Sequence, residues 1–260
     1  MSARGATNDD AVPRRRRRAE PVRAIVLRRS DFRESSRIVT MLTREHGRLV
    51  GLAKGAHRPD SPFLGRLDFL NEVAATFSAD RGGLRLLERV ELLRERRPLR
   101  EPTRFLAASH LARLCDLAMP DGEVEPRVFD LLLGGLNLLE RCPAAAVARV
   151  VLGLELRLLA TLGALPDLQH CAACGAELAP AFVQGEGHGL VCRRHAVLPR
   201  QAVADDVLAL LRELLATQAR RWPTLGDAAT TARAAPLPAR WLAAATEHRS
   251  PLRALLFGRA

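Results

Sequence analysis

Two periodicities divide the chain. From Pro21 to Leu93 apolar residues fall in short runs bounded by turn-forming residues, the pattern of strands. Beyond Pro98 they recur every three to four positions, as on helices. The first strand reads as Val22 to Leu27, rich in β-branched residues, with Arg28-Arg29-Ser30-Asp31 as the turn that leaves it. Ser36 to Thr43 is the second strand, and His46-Gly47 turns into a third, Arg48 to Ala53, which ends at Lys54-Gly55-Ala56. Residues 57–68 hold two prolines and a glycine and read as a loop. Phe69 to Phe77 is the fourth strand, Asp80-Arg81-Gly82-Gly83 a hairpin turn, and Leu84 to Leu93 the fifth. Leu86, Leu87 and Val90 in that last segment suit a helix as well.

Five short strands with glycine at the turns predict a small closed barrel, most commonly the oligonucleotide-binding (OB) fold. Three helical segments follow, Pro102–Ala118, Pro126–Arg141 and Pro143–Leu162, each with proline in the first turn, where its missing N–H costs nothing. In the third, Val147, Val150, Val151, Leu154 and Leu158 share one face, Gly163 stands at the C-cap and Pro166 blocks continuation. Asp205 or Asp206 caps a further helix running to about Trp222. Residues 223–238, rich in Pro, Ala and Thr, read as a linker before a final helix pair from Ala239 to Phe257. The expected class is α+β: a disordered basic tail at 1–20, an OB-fold barrel at 21–97, and a helical domain at 98–260 with a zinc-finger insertion at 170–196.

Charge sharpens this division. Residues 1–100 carry 23 basic and 13 acidic side chains, whereas residues 101–260 carry 17 and 16. The front half therefore has the balance of a polyanion binder. Arginine supplies every basic residue but Lys54, which reflects coding bias as easily as function, yet such bias acts on both halves alike. No apolar run approaches the roughly 20 residues of a spanning helix, and the run Arg14–Arg18 leads into no signal-peptide core. A soluble cytoplasmic, nucleoid-associated protein is expected.

The chemistry concentrates at Cys171-Ala-Ala-Cys174, seventeen residues, then Cys192-Arg-Arg-His195. Two ligand pairs at this spacing predict one structural zinc ion held by Cys171, Cys174, Cys192 and His195. A redox dithiol or free thiols are the competing readings, and His170 and His188 compete for the fourth place. Four good ligands close the shell, which argues for a staple rather than a catalytic ion. Cys115 reads as a small core residue.

Several segments together resemble a known family. They are Ala24 to Leu27, Glu34 to Thr43, His46 to Leu49, Ala53 to Ala56, and Leu159 to Gly163 with Pro166 and Leu168 directly before the cysteine pair. In order and spacing the chain is similar to bacterial RecO recombination mediators from about Pro21 to about Phe257. Many members carry a second Cys-x-x-Cys where this chain has Cys192-x-x-His195. The resemblance implies binding of single- and double-stranded DNA, annealing of complementary strands, and partnership with RecR. It also implies contact with the acidic tail of single-strand binding protein, so that RecA is loaded onto covered DNA. No enzyme activity is implied, and the chain has no phosphate-binding Gly-x-x-x-x-Gly-Lys-Ser/Thr loop.

Annealing needs phosphate repulsion reduced without bases being trapped, so contacts are expected to be electrostatic. The candidate DNA-contacting residues are Arg28, Arg29, Arg33, Arg37, Arg48, Lys54, Arg58 and Arg66, with Arg48 and Lys54 foremost because they bracket one strand. Phe69 and Phe77 read as core. For the tail of single-strand binding protein, Arg127, Arg149 and Arg157 in the helical domain are the candidates. Two other functions fit the sequence. An RNA-binding protein uses the same barrel; a metalloenzyme acting on nucleic acid would draw on Glu177 or Glu186, the carboxylates near the finger.

Overall fold

A computed structural model describes residues 20–78, 84–184, 189–197 and 202–257. The Arg14–Arg18 tail and the Asp80–Gly83 turn lie outside these residues, as do Glu186 and His188. Five strands, β1 (Val22–Phe32), β2 (Ser36–Thr43), β3 (Gly47–Ala53), β4 (Glu72–Phe77) and β5 (Arg85–Arg94), close a barrel in the order β1-β2-β3-β5-β4. That is the connectivity of the OB-like barrel. Closure rests on a short parallel pairing of β3 with β5, Gly51 opposite Arg85 and Leu52 opposite Leu86.

The run Ala24–Leu27 explains how the barrel meets the rest of the chain. Successive side chains on a strand face opposite sides. Ala24 and Val26 enter the barrel core with Val39, Met41, Val73 and Phe77. Ile25 and Leu27, with Leu42, join the separate core of the helical domain. One strand is thus buried on both faces, which is why its sequence shows no polar alternation.

The helical domain comprises α1 (Pro102–Leu117), α2 (Pro126–Arg141), α3 (Val147–Thr161), α4 (Asp205–Ala216), α5 (Ala228–Ala234), α6 (Pro236–Thr246) and α7 (Pro251–Phe257). Helix α3 is its axis, with eleven of its residues buried. Gly153 makes this possible: a Cβ there would lie 2.6 Å from the ring of Trp222, whose indole N–H donates to the Leu214 carbonyl at 2.8 Å. Cys115 is fully buried, and burial pushes its thiol up, as expected of a core residue.

Ion pairs lock the two parts together. Asp116, only 3% exposed, faces Arg48 at 3.3 Å and Arg28 at 3.4 Å from the barrel, and Arg113 of its own helix at 3.2 Å. Arg48 also pairs with Asp121 at 2.6 Å, and Arg44 with Asp130 at 3.0 Å. Buried Arg96 bridges Glu72 of β4, at 3.1 Å, to Glu140 and Asn137 of α2, at 3.4 and 2.9 Å. Much of the positive excess in the barrel half is therefore answered by carboxylates of the helical half.

Five expectations change. Neither Asp205 nor Asp206 caps α4: both lie in its first turn, and Ala204 is the N-cap. Arg28 to Asp31 continue β1 rather than turning, because β2 pairs with them through Phe32 opposite Ser36. The fourth strand begins at Glu72, and Phe69 precedes it, only partly buried. Helix α4 stops at Ala216, where the chain passes through Thr217 into a 3₁₀ turn at Ala219–Thr224. Residues 223–238 are no linker: Asp227 caps α5 by accepting from the Thr230 N–H at 2.6 Å, and α6 starts at Pro236.

Candidate metal centre and nucleic-acid interface

Cys171 leaves Leu168, which is anchored in the core, through a tight knuckle. The Gly175 N–H donates to the Cys171 carbonyl at 2.8 Å, and the Cys171 N–H to the Ala176 carbonyl at 2.7 Å. Gly175 sits at φ 72°, a left-handed conformation that glycine adopts without steric cost. The second pair arrives on a hairpin of β6 (Ala181–Val183) and β7 (Leu190–Cys192), which ends in the 3₁₀ turn Arg193–His195. A third short strand, β8 (Ala202–Val203), pairs with β6. Strands of two and three residues carry no periodicity, so the sequence did not announce them.

The ligand atoms of Cys171, Cys174, Cys192 and His195 lie within 4.8 Å of one another. Cys174 Sγ is 3.9 Å from Cys192 Sγ, and His195 Nδ1 is 3.5 Å from Cys192 Sγ and 3.8 Å from Cys171 Sγ. A tetrahedral zinc site with ordinary bond lengths has S–S edges of about 3.8 Å and S–N edges of about 3.6 Å. The donors fit that ion, and 3.9 Å is far from the roughly 2.05 Å of a disulfide. Burial pushes the Cys171 thiol up, but the N–H groups of Cys192, Ala173 and Cys174 outweigh it and bring it down to about 6. His170 is held elsewhere, with Nδ1 3.0 Å from Asp167. Glu177 pairs as an isolated β-bridge with His170 and is not in the cluster.

The candidate DNA residues divide into two groups. At one end of the barrel the β1–β2 turn and the β3–β4 loop are tied together, by the His57 N–H to the Ser35 carbonyl at 3.1 Å and His57 Nε2 to Asp31 at 3.0 Å. This end carries Arg33, Arg37, Lys54 and Arg58. Lys54 and Arg58 are exposed and have no ion-pair partner among the described residues. Arg33 lies over the Phe32 ring at 5.2 Å, and Arg37 pairs with Asp31 at 3.1 Å. Arg66 is exposed beyond its bond to the Val90 carbonyl at 2.8 Å.

Arg28 and Arg48 belong to the second group, facing Asp116, and Arg29 pairs with Asp68. Arg48 and Lys54 thus bracket β3 in sequence but serve different neighbours. Among the proposed partner contacts, Arg149 is 9% exposed and donates to the Pro223 carbonyl at 2.6 Å. Arg157 donates to the Leu215 and Thr217 carbonyls at 2.7 and 3.0 Å and stacks over Trp222. Arg127 forks onto Glu125 at 2.9 and 2.7 Å. The three form no surface cluster, because two of them satisfy carbonyls that the helix ends leave open inside the domain.

Fold and site define an OB-like barrel fixed to a helical domain that carries a Cys₃His knuckle fit for a structural metal. The profile described as Recombination protein O N terminal matches residues 20–96, and that described as Recombination protein O C terminal matches residues 99–237. The chain belongs to the RecO family of DNA repair and recombination proteins. DNA repair protein RecO of Rhodopirellula baltica is 34% identical over 215 residues, 80% of this chain and 78% of that one. The RecO protein of Myxococcus xanthus is 34% identical over 198 residues, covering 75% and 80%. That of Bacillus subtilis is 29% identical over 174 residues, covering 65% and 66%. No helix among the described residues is long and apolar enough to cross a membrane.

Proposed function

We propose that the chain binds single- and double-stranded DNA, anneals complementary strands, and acts with RecR to load RecA onto DNA covered by single-strand binding protein. The observation that carries the DNA part is the barrel end at which Arg33, Lys54 and Arg58 stand on two tied loops beside Arg37 of β2, Lys54 and Arg58 without an ion-pair partner among the described residues. In OB folds the β1–β2 loop borders the strand-binding face, and the β3–β4 loop that carries Lys54 and Arg58 is tied to it here by His57. Cations contacting phosphates release counterions and lower the repulsion between two strands without holding their bases. Arg48, engaged by Asp116 and Asp121, is assigned to the domain joint instead. Zinc at the four-ligand knuckle supplies rigidity and no reaction step.

Affinity for a mixed-sequence single strand should fall steeply with salt, with log K sloping by about −0.7 per phosphate neutralised. Lys54→Glu with Arg58→Glu should flatten that slope by roughly one to two units and slow annealing. Arg48→Glu should lower thermal stability before it changes the slope. A wild-type affinity insensitive to salt would end the electrostatic reading. Equal competition by single-stranded RNA would favour an RNA-directed role.

For the acidic, apolar tail of single-strand binding protein, a cavity of about 1010 Å³ among α1, α6 and α7 fits better than the three arginines named from sequence. It offers Leu242 and Phe257 as apolar wall, with Arg240 and Arg249 at its rim. Calorimetry with a tail peptide should show binding that Arg249→Glu weakens about tenfold, the effect of one charge-assisted contact. A peptide without measurable affinity for the full chain would count decisively against this partner site.

A further inference from the structure

The three thiols of the knuckle are not equally open to solvent. Cys174 is exposed and Cys192 half-buried, whereas Cys171 is 3% exposed and belongs to the core of the helical domain. A cysteine that holds a metal does so as its thiolate, and the oxidation of thiolates follows their exposure. The two open sulfurs also face each other, with Cys174 Sγ 3.9 Å from Cys192 Sγ. A disulfide needs them closer by about 1.9 Å.

The chain can supply that movement from the side of Cys174. Residues 172–177 are all exposed, so little packing restrains the tip that bears it. Cys171 is held differently. Its N–H donates to the Ala176 carbonyl at 2.7 Å, and its carbonyl accepts from the Gly175 N–H at 2.8 Å. Drawing Cys171 onto Cys174 would therefore deform the knuckle itself. Cys171 Sγ faces His195 Nδ1 at 3.8 Å, and an imidazole forms no disulfide. Exposure and geometry thus single out the same pair.

We propose that hydrogen peroxide joins Cys174 to Cys192 in a disulfide and so frees the metal ion, with Cys171 left as a thiol. This rests on the zinc assignment above and adds a modification site to it. The Cys174 thiolate attacks one peroxide oxygen, the O–O bond breaks, and hydroxide departs, leaving a sulfenic acid on Cys174. The Cys192 thiolate then attacks that sulfur, forming the S–S bond as the S–O bond breaks and a second hydroxide leaves. Two protons from solvent convert both hydroxides to water. The two sulfurs together lose two electrons and the peroxide gains them, while zinc keeps its charge. Cys171 and His195 then remain as ligands, too few for a tetrahedral structural site. The new bond joins the segments that the ion joined, the knuckle and the end of β7, so the hairpin stays tethered. Oxidised protein should be less stable than the zinc form and more stable than reduced, chelated protein.

The test treats the full-length chain, loaded with zinc and freed of reductant, with hydrogen peroxide. A chromogenic chelator follows the released zinc, and mass spectrometry of alkylated peptides locates the disulfide. One zinc ion should be released for each Cys174–Cys192 disulfide formed, with Cys171 alkylated as a free thiol. Reductant with added zinc should restore the starting melting temperature. Cys174→His keeps a ligand nitrogen in place of the exposed sulfur and should retain zinc through the same treatment. Should that variant fail to fold, the peptide map of the wild type decides the pairing alone. A Cys171–Cys174 disulfide, zinc released with no disulfide, or zinc retained under peroxide would each overturn the proposal. A chain that binds no zinc before oxidation would instead remove the metal reading, and the map would still show whether Cys174 and Cys192 pair.

Discussion

Protein purified without added zinc is expected to carry one zinc ion per chain, and Cys171→Ser is expected to abolish it. The four donors sit at the corners of a tetrahedron of zinc size, and His195 Nδ1 completes a set that Cys171, Cys174 and Cys192 begin. Losing the ion should do more than loosen a loop. Cys171, Leu178, Ala181, Phe182, Leu190 and Val191 are buried in the core of the helical domain, so the knuckle and its hairpin are part of that core. In zinc-finger peptides the metal supplies about 10–16 kcal/mol of apparent binding free energy, and this is an upper bound here, because apolar packing also holds the hairpin. A drop of several kcal/mol in unfolding free energy is expected on substitution or exhaustive chelation. DNA affinity of the remaining folded barrel should change little, since its cations lie on other elements. Metal content well under one ion per chain would sink the assignment, and so would a Cys171→Ser variant as stable as the wild type.

How far these features can be read without coordinates depends on the range of the forces that set them. The barrel and α1 to α3 were legible because their signals are local: alternation, turn glycines, and proline in the first turn. The knuckle was legible because metal geometry fixes ligand spacing. Residues 223–238 misled because Pro, Ala and Thr resemble a linker, while Asp227 and Pro236 act there as helix starts. Individual arginines were the least legible. Whether a guanidinium meets solvent or a carboxylate depends on residues far away in sequence, as Arg48 meets Asp116 and Arg149 the Pro223 carbonyl. Net charge by halves suggested an exposed basic surface, and the domain joint consumed much of it. Lys54 and Arg58 stand beside His57, whose N–H donates to the Ser35 carbonyl of the β1–β2 turn, and meet no carboxylate among the described residues.

Glu155→Gln should cost about 3–5 kcal/mol, lowering the melting temperature by roughly 6–20 °C, as expected when one partner of a buried ion pair is removed. Glu155 is fully buried on α3 and accepts from Arg253 at 2.7 and 2.9 Å and from His110 Nε2 at 2.8 Å. His110 Nδ1 lies 2.9 Å from Ser250 Oγ. This row has the connectivity of a hydrolytic triad, but the Arg253 fork neutralises the carboxylate that would have to stabilise an imidazolium. Its evident role is to tie α7, none of whose residues is buried, onto α1 and α3. Burial pushes the Glu155 carboxyl up, yet the His110 hydrogen bond and the Arg253 charge outweigh it, so its folded pKa lies below the ordinary 4.5. A depressed carboxylate contributes stability that is complete above the unfolded value and is lost as pH falls through the folded one. Wild-type stability should therefore decline on acidification below about pH 4.5, and the decline should be shallower in Glu155→Gln, which has already lost that contribution. Replacing both partners, as Glu155→Leu with Arg253→Leu, should cost much less than either change alone, because no charge is left buried without its partner. Chemical denaturation of the wild type and of these single and double variants across pH 3–7 measures all of this. A Glu155→Gln variant as stable as the wild type at neutral pH would show that α7 is held by its apolar contacts alone.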